Sequence, residues 1–329
     1  MADNREACPF CQRKPGKDRM GLPCLTLTSL AQKNRVWPNV HINKESGMNI
    51  LHISDLHFGP RHWEGDDKVL LKKINSFNAD IVINTGDSTT DGLEDEYAKA
   101  GRFLKAIKCK QVISIIGNHD KRNMRSHELF RKYIYNPEVI YIPELVKTTK
   151  KNLFLNREIT KVRDNFTDIN FIKPILINGK KILIISIDSN ELYNDEGYVE
   201  QEVLKAISAK IDQTEHDLPL LLTHYSVLGT DECPLRNSSL LIDFVHKHKI
   251  ENVFCGHTHE LELMRTTDLY HGYSFTQFMC GTLSSCNHPN DDNMFLYYEN
   301  WGSDDRQIHL VRIFSEAGKL RFSQEQIPH

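Results

Sequence analysis

Sixteen histidines stand among 329 residues, and half of the chemistry they could do depends on their neighbours. Five short groups occur in order: Asp55-Leu56-His57, Gly86-Asp87, Gly117-Asn118-His119-Asp120, His224 and Gly256-His257-Thr258-His259. Their donors are carboxylates, imidazoles and an amide oxygen, with no thiolate in any group. Such N/O ligation suits Mn, Fe, Zn or Co rather than a structural cysteine-zinc site. Seven candidate ligands, Asp55, His57, Asp87, Asn118, His224, His257 and His259, exceed the need of one ion and suit two that share an Asp. In extended backbone, residues two apart face the same way. Asp55 with His57, and His257 with His259, are therefore expected to converge. Gly86, Gly117 and Gly256 are expected to let the chain turn away at positive φ.

Something must carry these groups to one place. Each follows a short apolar run, at 49–53, 80–85, 111–116, 218–223 and 251–255, and a sixth run lies at 181–187. Short Ile/Val/Leu-rich runs bounded by polar residues read as buried strands. Helix-like stretches lie between them at 66–77, 93–108, 200–213 and 238–248. In the second of these, Leu93, Tyr97, Ala100, Phe103, Leu104 and Ile107 recur near helical spacing. This alternation predicts an α/β domain with the reactive residues at strand carboxyl ends, where open α/β sheets bind ligands. Beyond about 260 the patterns become strand-like, as a meander. Segment 121–180 is the least regular, with a helix expected near 126–135, a strand at 168–177 and a solvated Lys-rich loop at 147–151.

Taken together and in order, D-x-H, G-D, G-N-H-D, H and G-H-x-H resemble the calcineurin-like metallophosphoesterase superfamily from about 49 to 259. The wording of HISDLHFG, GNHD and GHTH is similar to bacterial members, class III cyclic-nucleotide phosphodiesterases among them. The resemblance implies an α/β sandwich of two mixed β-sheets flanked by helices, with a C-terminal β-meander. It also implies two divalent transition-metal ions, manganese preferred and iron, zinc or cobalt open. Asp55, His57, Asp87 and His259 would hold the first ion; Asp87, Asn118, His224 and His257 would hold the second, with Asp87 bridging. A hydroxide shared by the ions would attack a phosphoester in line. His119 would stabilise or protonate the leaving oxygen, and Asp120 is placed to orient its ring. Relatives often carry Asp three residues after the bridging Asp, where this chain has Thr90.

The implied activity is hydrolysis of a phosphodiester or phosphomonoester, with a cyclic nucleotide or related small nucleotide favoured. A nuclease is the alternative, followed by a non-catalytic phosphoesterase-fold scaffold, which the complete ligand set and His119 disfavour. Lys+Arg of 41 against Asp+Glu of 44 gives a net charge of −3 and no support for a global grip on nucleic acid or anionic membrane. No apolar run approaches the roughly 18–20 residues of a membrane span. The N-terminus has no apolar signal core, and eight cysteines are too sparse for a disulfide scaffold, so a cytoplasmic enzyme is expected.

Residues 1–47 read as an extension of unassigned role before a domain at 48–329. Cys8, Cys11 and Cys24, with His41, could form a zinc knuckle, although an ordinary tethered extension is the favoured reading. For Arg61 and His62 a contact to substrate phosphate competes with a solvated turn. His52 is read as packing and Asp188 as a loop or capping residue.

Overall fold

Within the runs that open the domain both faces are apolar, so each strand needs cover on two sides. The computed structural model describes residues 47–134, 138–146, 148–155, 158–166, 169–229, 234–286, 293–316 and 319–328. The candidate zinc ligands Cys8, Cys11, Cys24 and His41 lie outside them.

In chain order the first elements are β1 (Met48–Ile53), α1 (Asp67–Ile74), β2 (Ile81–Asn84), α2 (Glu94–Lys105), β3 (Gln111–Ser114) and α3 (Ser126–Tyr133). Next come β4 (Thr148–Leu155), β5 (Glu158–Phe166), β6 (Phe171–Ile177), β7 (Lys180–Ser186), α4 (Gln201–Ile211) and β8 (Leu218–Leu222). The chain then forms α5 (Ser238–Lys247), β9 (Asn252–Cys255), β10 (Glu262–Asp268), β11 (Tyr273–Met279), β12 (Asn293–Trp301), β13 (Gln307–Glu316) and β14 (Lys319–Ile327).

Two six-stranded sheets result, ordered β14-β13-β12-β1-β2-β3 and β10-β11-β9-β8-β7-β6. In the first, β1, β2 and β3 run parallel while β12 to β14 are antiparallel. In the second, β7, β8, β9 and β11 are parallel, with β6 and β10 antiparallel at the edges. Both sheets are therefore mixed.

Strand period decides the layers. Ile50, Ile81, Ile83 and Ile113 share a cluster with Ile182, Ile184, Leu220 and Phe254, joining the inner faces of the two sheets. Their alternates Leu51, Ile53 and Val82 pack with Leu70, Ile74, Ala100, Phe103 and Leu104 of α1 and α2. Leu183, Ile185, Leu221 and Val253 likewise meet Val203, Leu204, Ile207, Leu241 and Phe244 of α4 and α5. A helix as short as α1 is unstable alone in water. It is held by burial of Leu70 and Ile74, each worth about 1.5–3 kcal/mol, and by Asp66, whose side chain caps Lys68 N at 2.9 Å.

Two expectations are corrected. The Lys-rich stretch at 147–151 is not a loop, because residues from Thr148 onward form β4, paired antiparallel with β5. No third strand joins this ribbon among the described residues, and lysine is common on strands with open edges. Of the C-terminal strands, β12 to β14 form the expected antiparallel meander, which β10 and β11 do not join. β10 and β11 extend the second sheet, while β12 to β14 build onto β1 in the first. Hydrophobic alternation announces a strand but not which of two sheets receives it. Among the described residues, no helix is long and apolar enough to cross a membrane.

Candidate metal centre

The parallel ladder continues past the strand ends and fixes the loops that carry the reactive residues. Asp55 N donates to Gly86 O, His57 N to Asp87 O and Phe58 N to Ser88 O, each at 3.0 Å. On the other sheet Thr223 N donates to Phe254 O at 3.1 Å and Gly256 N to His224 O at 3.0 Å. Backbone conformation here departs from the extended form assumed above. Asp55, His57, Asp87, His257 and His259 all have positive φ, five of the nine such non-glycine residues described. Each costs on the order of 1–3 kcal/mol, and such strain concentrates where function requires it. The side chains converge through this left-handed backbone, not through strand alternation.

The glycines also act differently from expectation. Of Gly86, Gly117 and Gly256, only Gly86 has positive φ, at +108°. Gly117 and Gly256 are required by crowding: a Cβ on Gly117 would collide with Asp87 Oδ1, and one on Gly256 with Ser54 Oγ.

All seven candidate ligands meet. His57 Nε2 lies 2.8 Å from His259 Nε2, 3.7 Å from Asp55 Oδ1 and 3.9 Å from Asp87 Oδ2. On the far side of Asp87, His224 Nε2 lies 3.5 Å from Oδ1 and 2.9 Å from Asn118 Oδ1. His257 Nδ1 is 3.2 Å from the same Asn118 oxygen. Asp87 thus turns one carboxylate oxygen toward each group of ligands. His224 Nδ1 donates to Thr85 O at 2.8 Å, which turns Nε2 toward the site.

These residues fit a pair of cations. Asp55 Oδ1 is buried with no hydrogen-bond partner, its near neighbours being imidazole nitrogens. Burial pushes the pKa of His57 down to about 3 and that of His257 to about 4, so both rings are neutral donors at pH 7. Burial opposes ionisation of Asp55, but His259 beside it outweighs this and lowers its pKa to about 2. Burial also works against a charged His224, yet Asp87 raises its pKa to about 9.

His119 lies beside this cluster, its ring edge-on to that of His57 with centroids 4.8 Å apart. Its backbone N donates to Asp87 Oδ1 at 2.8 Å. Asp120 does not orient the ring, which corrects the sequence expectation. The His119 Nδ1 partner is Thr90 O at 2.7 Å, while Nε2 lies 3.0 Å from Arg61 Nη1. Asp120 instead accepts from Gly117 N at 2.9 Å, Thr89 N at 2.9 Å, Thr89 Oγ1 at 2.8 Å and Ser88 N at 3.2 Å. Its carboxylate ties the Gly86–Thr90 loop to the Gly117–Asp120 loop, and burial and the charge of Asp87 raise its pKa.

Of the two residues weighed for phosphate contact, His62 is a brace. Its Nδ1 donates to Leu56 O at 2.9 Å, Asp67 lies 3.2 Å from Nε2, and the ring stacks on Phe58 with centroids 4.1 Å apart. Arg61 reaches His119. His52 is a packing residue as read, buried between Thr85 Oγ1 at 3.0 Å and Tyr298.

Three positioning groups left little sign in the sequence. Asp195 accepts from Asn118 Nδ2 at 3.2 Å and from Arg122 at 2.7 Å, which aims the Asn118 oxygen at the histidines. Lys121, 1% exposed, pairs with Asp188 at 2.6 Å and donates to Asn190 O at 2.6 Å. Asp188 caps Asn190 N as well, at 3.1 Å. The third is the Thr90 carbonyl. The only signals were acidic residues after the run 181–187, and nothing in the sequence pairs them with positions about seventy residues earlier.

Residues 48–261 match the family described as calcineurin-like phosphoesterase. A protein of Coxiella burnetii named a probable cyclic nucleotide phosphodiesterase is 29% identical over 104 residues, 30% of this chain and 42% of that one. A protein of the same name from Vesicomyosocius okutanii is 23% identical over 224 residues, covering 64% of this chain and 78% of its own. One from Xenorhabdus bovienii is 23% identical over 190 residues, 56% and 63% of the two chains. The chain thus spans less than half the length of the first relative. Among solved structures, vacuolar protein sorting 29 from Cryptosporidium parvum aligns at TM-score 0.40 and 14% identity, covering 86% of this chain and 100% of that one. NAD nucleotidase of Haemophilus influenzae aligns at TM-score 0.45 and 14% identity, covering 86% and 50%. With its ordered motifs inside the matched span, this chain belongs to the calcineurin-like phosphoesterase family.

Proposed function

We propose that this chain hydrolyses a small phosphodiester, a cyclic nucleotide or related nucleotide, at a centre of two divalent metal ions. The observation that carries the reading is Asp87, whose two carboxylate oxygens face separate groups of ligands. Asp55, His57, Asp87 and His259 would hold one ion; Asp87, Asn118, His224 and His257 would hold the other. The ions would supply a nucleophilic water of lowered pKa and offset charge on the phosphoryl oxygens. The N/O donor set suits manganese, iron, zinc or cobalt, and manganese is the metal the family resemblance favours.

The chain's own part is positional. Asp55 and Asp87 keep the site anionic, the Thr85 carbonyl sets the His224 tautomer, and Asp195 fixes the Asn118 amide. His119, outside the ligand cluster, would give the departing oxygen a proton once its Nε2 is protonated. Names carried by the bacterial relatives support the nucleotide substrate, and sparse cysteines support a cytoplasmic setting. The near-neutral charge gives a nuclease reading no support.

The test is Mn²⁺-loaded protein against bis-p-nitrophenyl phosphate, p-nitrophenyl phosphate, 2′,3′- and 3′,5′-cyclic nucleotides, nucleotides and DNA, with elemental analysis alongside. About two ions per chain and preference for a cyclic nucleotide are expected, and Asp87→Ala should lose both ions. Zero retained metal after loading and dialysis would overturn the reading. Preference for DNA would transfer it to a nuclease.

A further inference from the structure

Beside the ligand cluster stands a cation that the proposed centre does not use. Arg61 is half-buried, and its Nη1 lies 3.0 Å from His119 Nε2. A guanidinium has only donors, so Nε2 is the acceptor and the ring proton sits on Nδ1, toward Thr90 O. No carboxylate pairs with Arg61 among the described residues. Arg122, whose charge also reaches His119, is by contrast paired with Asp195 at 2.7 Å.

The backbone holds this arrangement from both sides. Arg61 N donates to Thr90 Oγ1 at 3.3 Å, and Arg61 O accepts from Cys286 N at 2.8 Å. His62, the next residue, is locked by Leu56 O, Asp67 and the Phe58 ring and bridges to Ser285. The turn Gly59–Trp63 is therefore a fixed mount, not a solvated loop. Thr90 contributes a hydroxyl at the position where relatives often have a carboxylate, so the loop places no acid next to the guanidinium. A neutral imidazole takes one of its five N–H donors; the others form a fork that matches phosphoryl oxygens.

We propose that Arg61 binds a non-bridging oxygen of the scissile phosphoryl group, on the side of the site where His119 meets the leaving oxygen. The inference rests on the phosphoesterase reading for its substrate but is tested through phosphate binding itself. An entering phosphoryl oxygen takes donors from the guanidinium fork and draws it off His119 Nε2. Arg61 thereby supplies a positive contact from the protein beside the metal ligands.

The experiment uses the full chain loaded with Mn²⁺ and titrated calorimetrically with inorganic phosphate, in parallel with turnover of bis-p-nitrophenyl phosphate. For Arg61→Ala, metal content stays at the wild-type value. The phosphate dissociation constant rises about ten- to hundredfold, the range expected for losing a hydrogen bond to a charged group. KM rises with it, and kcat falls less. Arg61→Lys restores part of the affinity because it keeps the charge but loses the fork. Arg61→Gln, which keeps volume and polarity, behaves like Arg61→Ala and serves if the alanine variant misfolds.

Phosphate affinity within twofold of wild type in folded, metal-replete Arg61→Ala or Arg61→Gln would overturn the proposal. So would a loss confined to kcat, which would assign Arg61 to holding His119 alone. Should the wild type turn over no phosphoester yet bind phosphate in an Arg61-dependent way, the anion contact stands and the catalytic reading fails.

Discussion

His119 illustrates what residue types reveal and what they conceal. Its place after Gly117-Asn118 marked it as reactive, and the structure sets it against the ring of His57, outside the ligand groups. The partner that aims it was invisible, because the Thr90 carbonyl is a backbone acceptor that any residue would provide. Asp120 was the adjacent carboxylate and the natural guess, yet its oxygens are occupied by Gly117, Ser88 and Thr89. The ligands were legible for the opposite reason: their chemistry lies in the side chain, and each follows a strand. In the structure His119 Nε2 accepts from Arg61, so the ring has a proton to give only after substrate has drawn the guanidinium away and Nε2 has taken a proton from solvent. His119→Ala should keep its metals and lose roughly 10²–10⁴-fold in turnover of an ester with an alkoxide leaving group. On bis-p-nitrophenyl phosphate, whose leaving group needs little help, the loss should be much smaller. Comparing kcat for the two esters checks this; equal losses with metals intact would assign His119 to a non-bridging oxygen instead.

Elements were legible wherever one periodicity ruled. The six apolar runs became β1, β2, β3, β7, β8 and β9, and the helical spacing at 93–108 became α2. Sheet membership of β10 to β14 was not, since it depends on which edge is open after the parallel strands have assembled. Long-range side-chain pairs were equally hidden, and the buried Lys121–Asp188 pair is the one with the largest consequence. It ties the loop after β3 to the loop after β7, and the second of these loops also carries Asp195 to Asn118. Burial alone would raise the Asp188 pKa, but the Lys121 charge outweighs it and holds the carboxyl below its usual range. A depressed folded pKa stabilises above the unfolded value near 3.9 and is lost as pH falls through the folded value. Asp188→Asn leaves a buried ammonium without its anion, for which about 3–5 kcal/mol is the expected cost. Its urea midpoint at pH 7 should therefore fall well below wild type, with the gap narrowing in acid. Lys121→Met combined with Asp188→Asn should recover much of the difference, because no charge then remains buried. A single variant as stable as wild type at pH 7 would show that the pair does not brace these loops.

At the scale of the whole molecule, the question is whether residues before the first strand are needed for the rest. β1 does not lie at an edge; it sits between β12 and β2, and its first residue Met48 is opposite Trp301. A strand in that position must be anchored by what surrounds it. The contacts described for its start all lie within residues 47–329. Asn49 N donates to Asp80 Oδ2 at 2.7 Å, and Gly47 O accepts from Asn178 Nδ2 at 2.9 Å. The apolar clusters of the described residues draw only on Met48 and beyond, and residues 45–329 form one compact unit by their contacts. A chain that begins at Glu45 keeps Gly47 and every one of these partners. We therefore expect it to fold with the same cooperativity, load about two metal ions and turn over the full chain's best phosphoester within about twofold. Circular dichroism, elemental analysis and kcat/KM measured side by side check this. Zinc retained by the full chain beyond what the shortened chain holds would assign a metal to Cys8, Cys11, Cys24 and His41. Insolubility or loss of turnover on shortening would make the leading residues part of the folded enzyme.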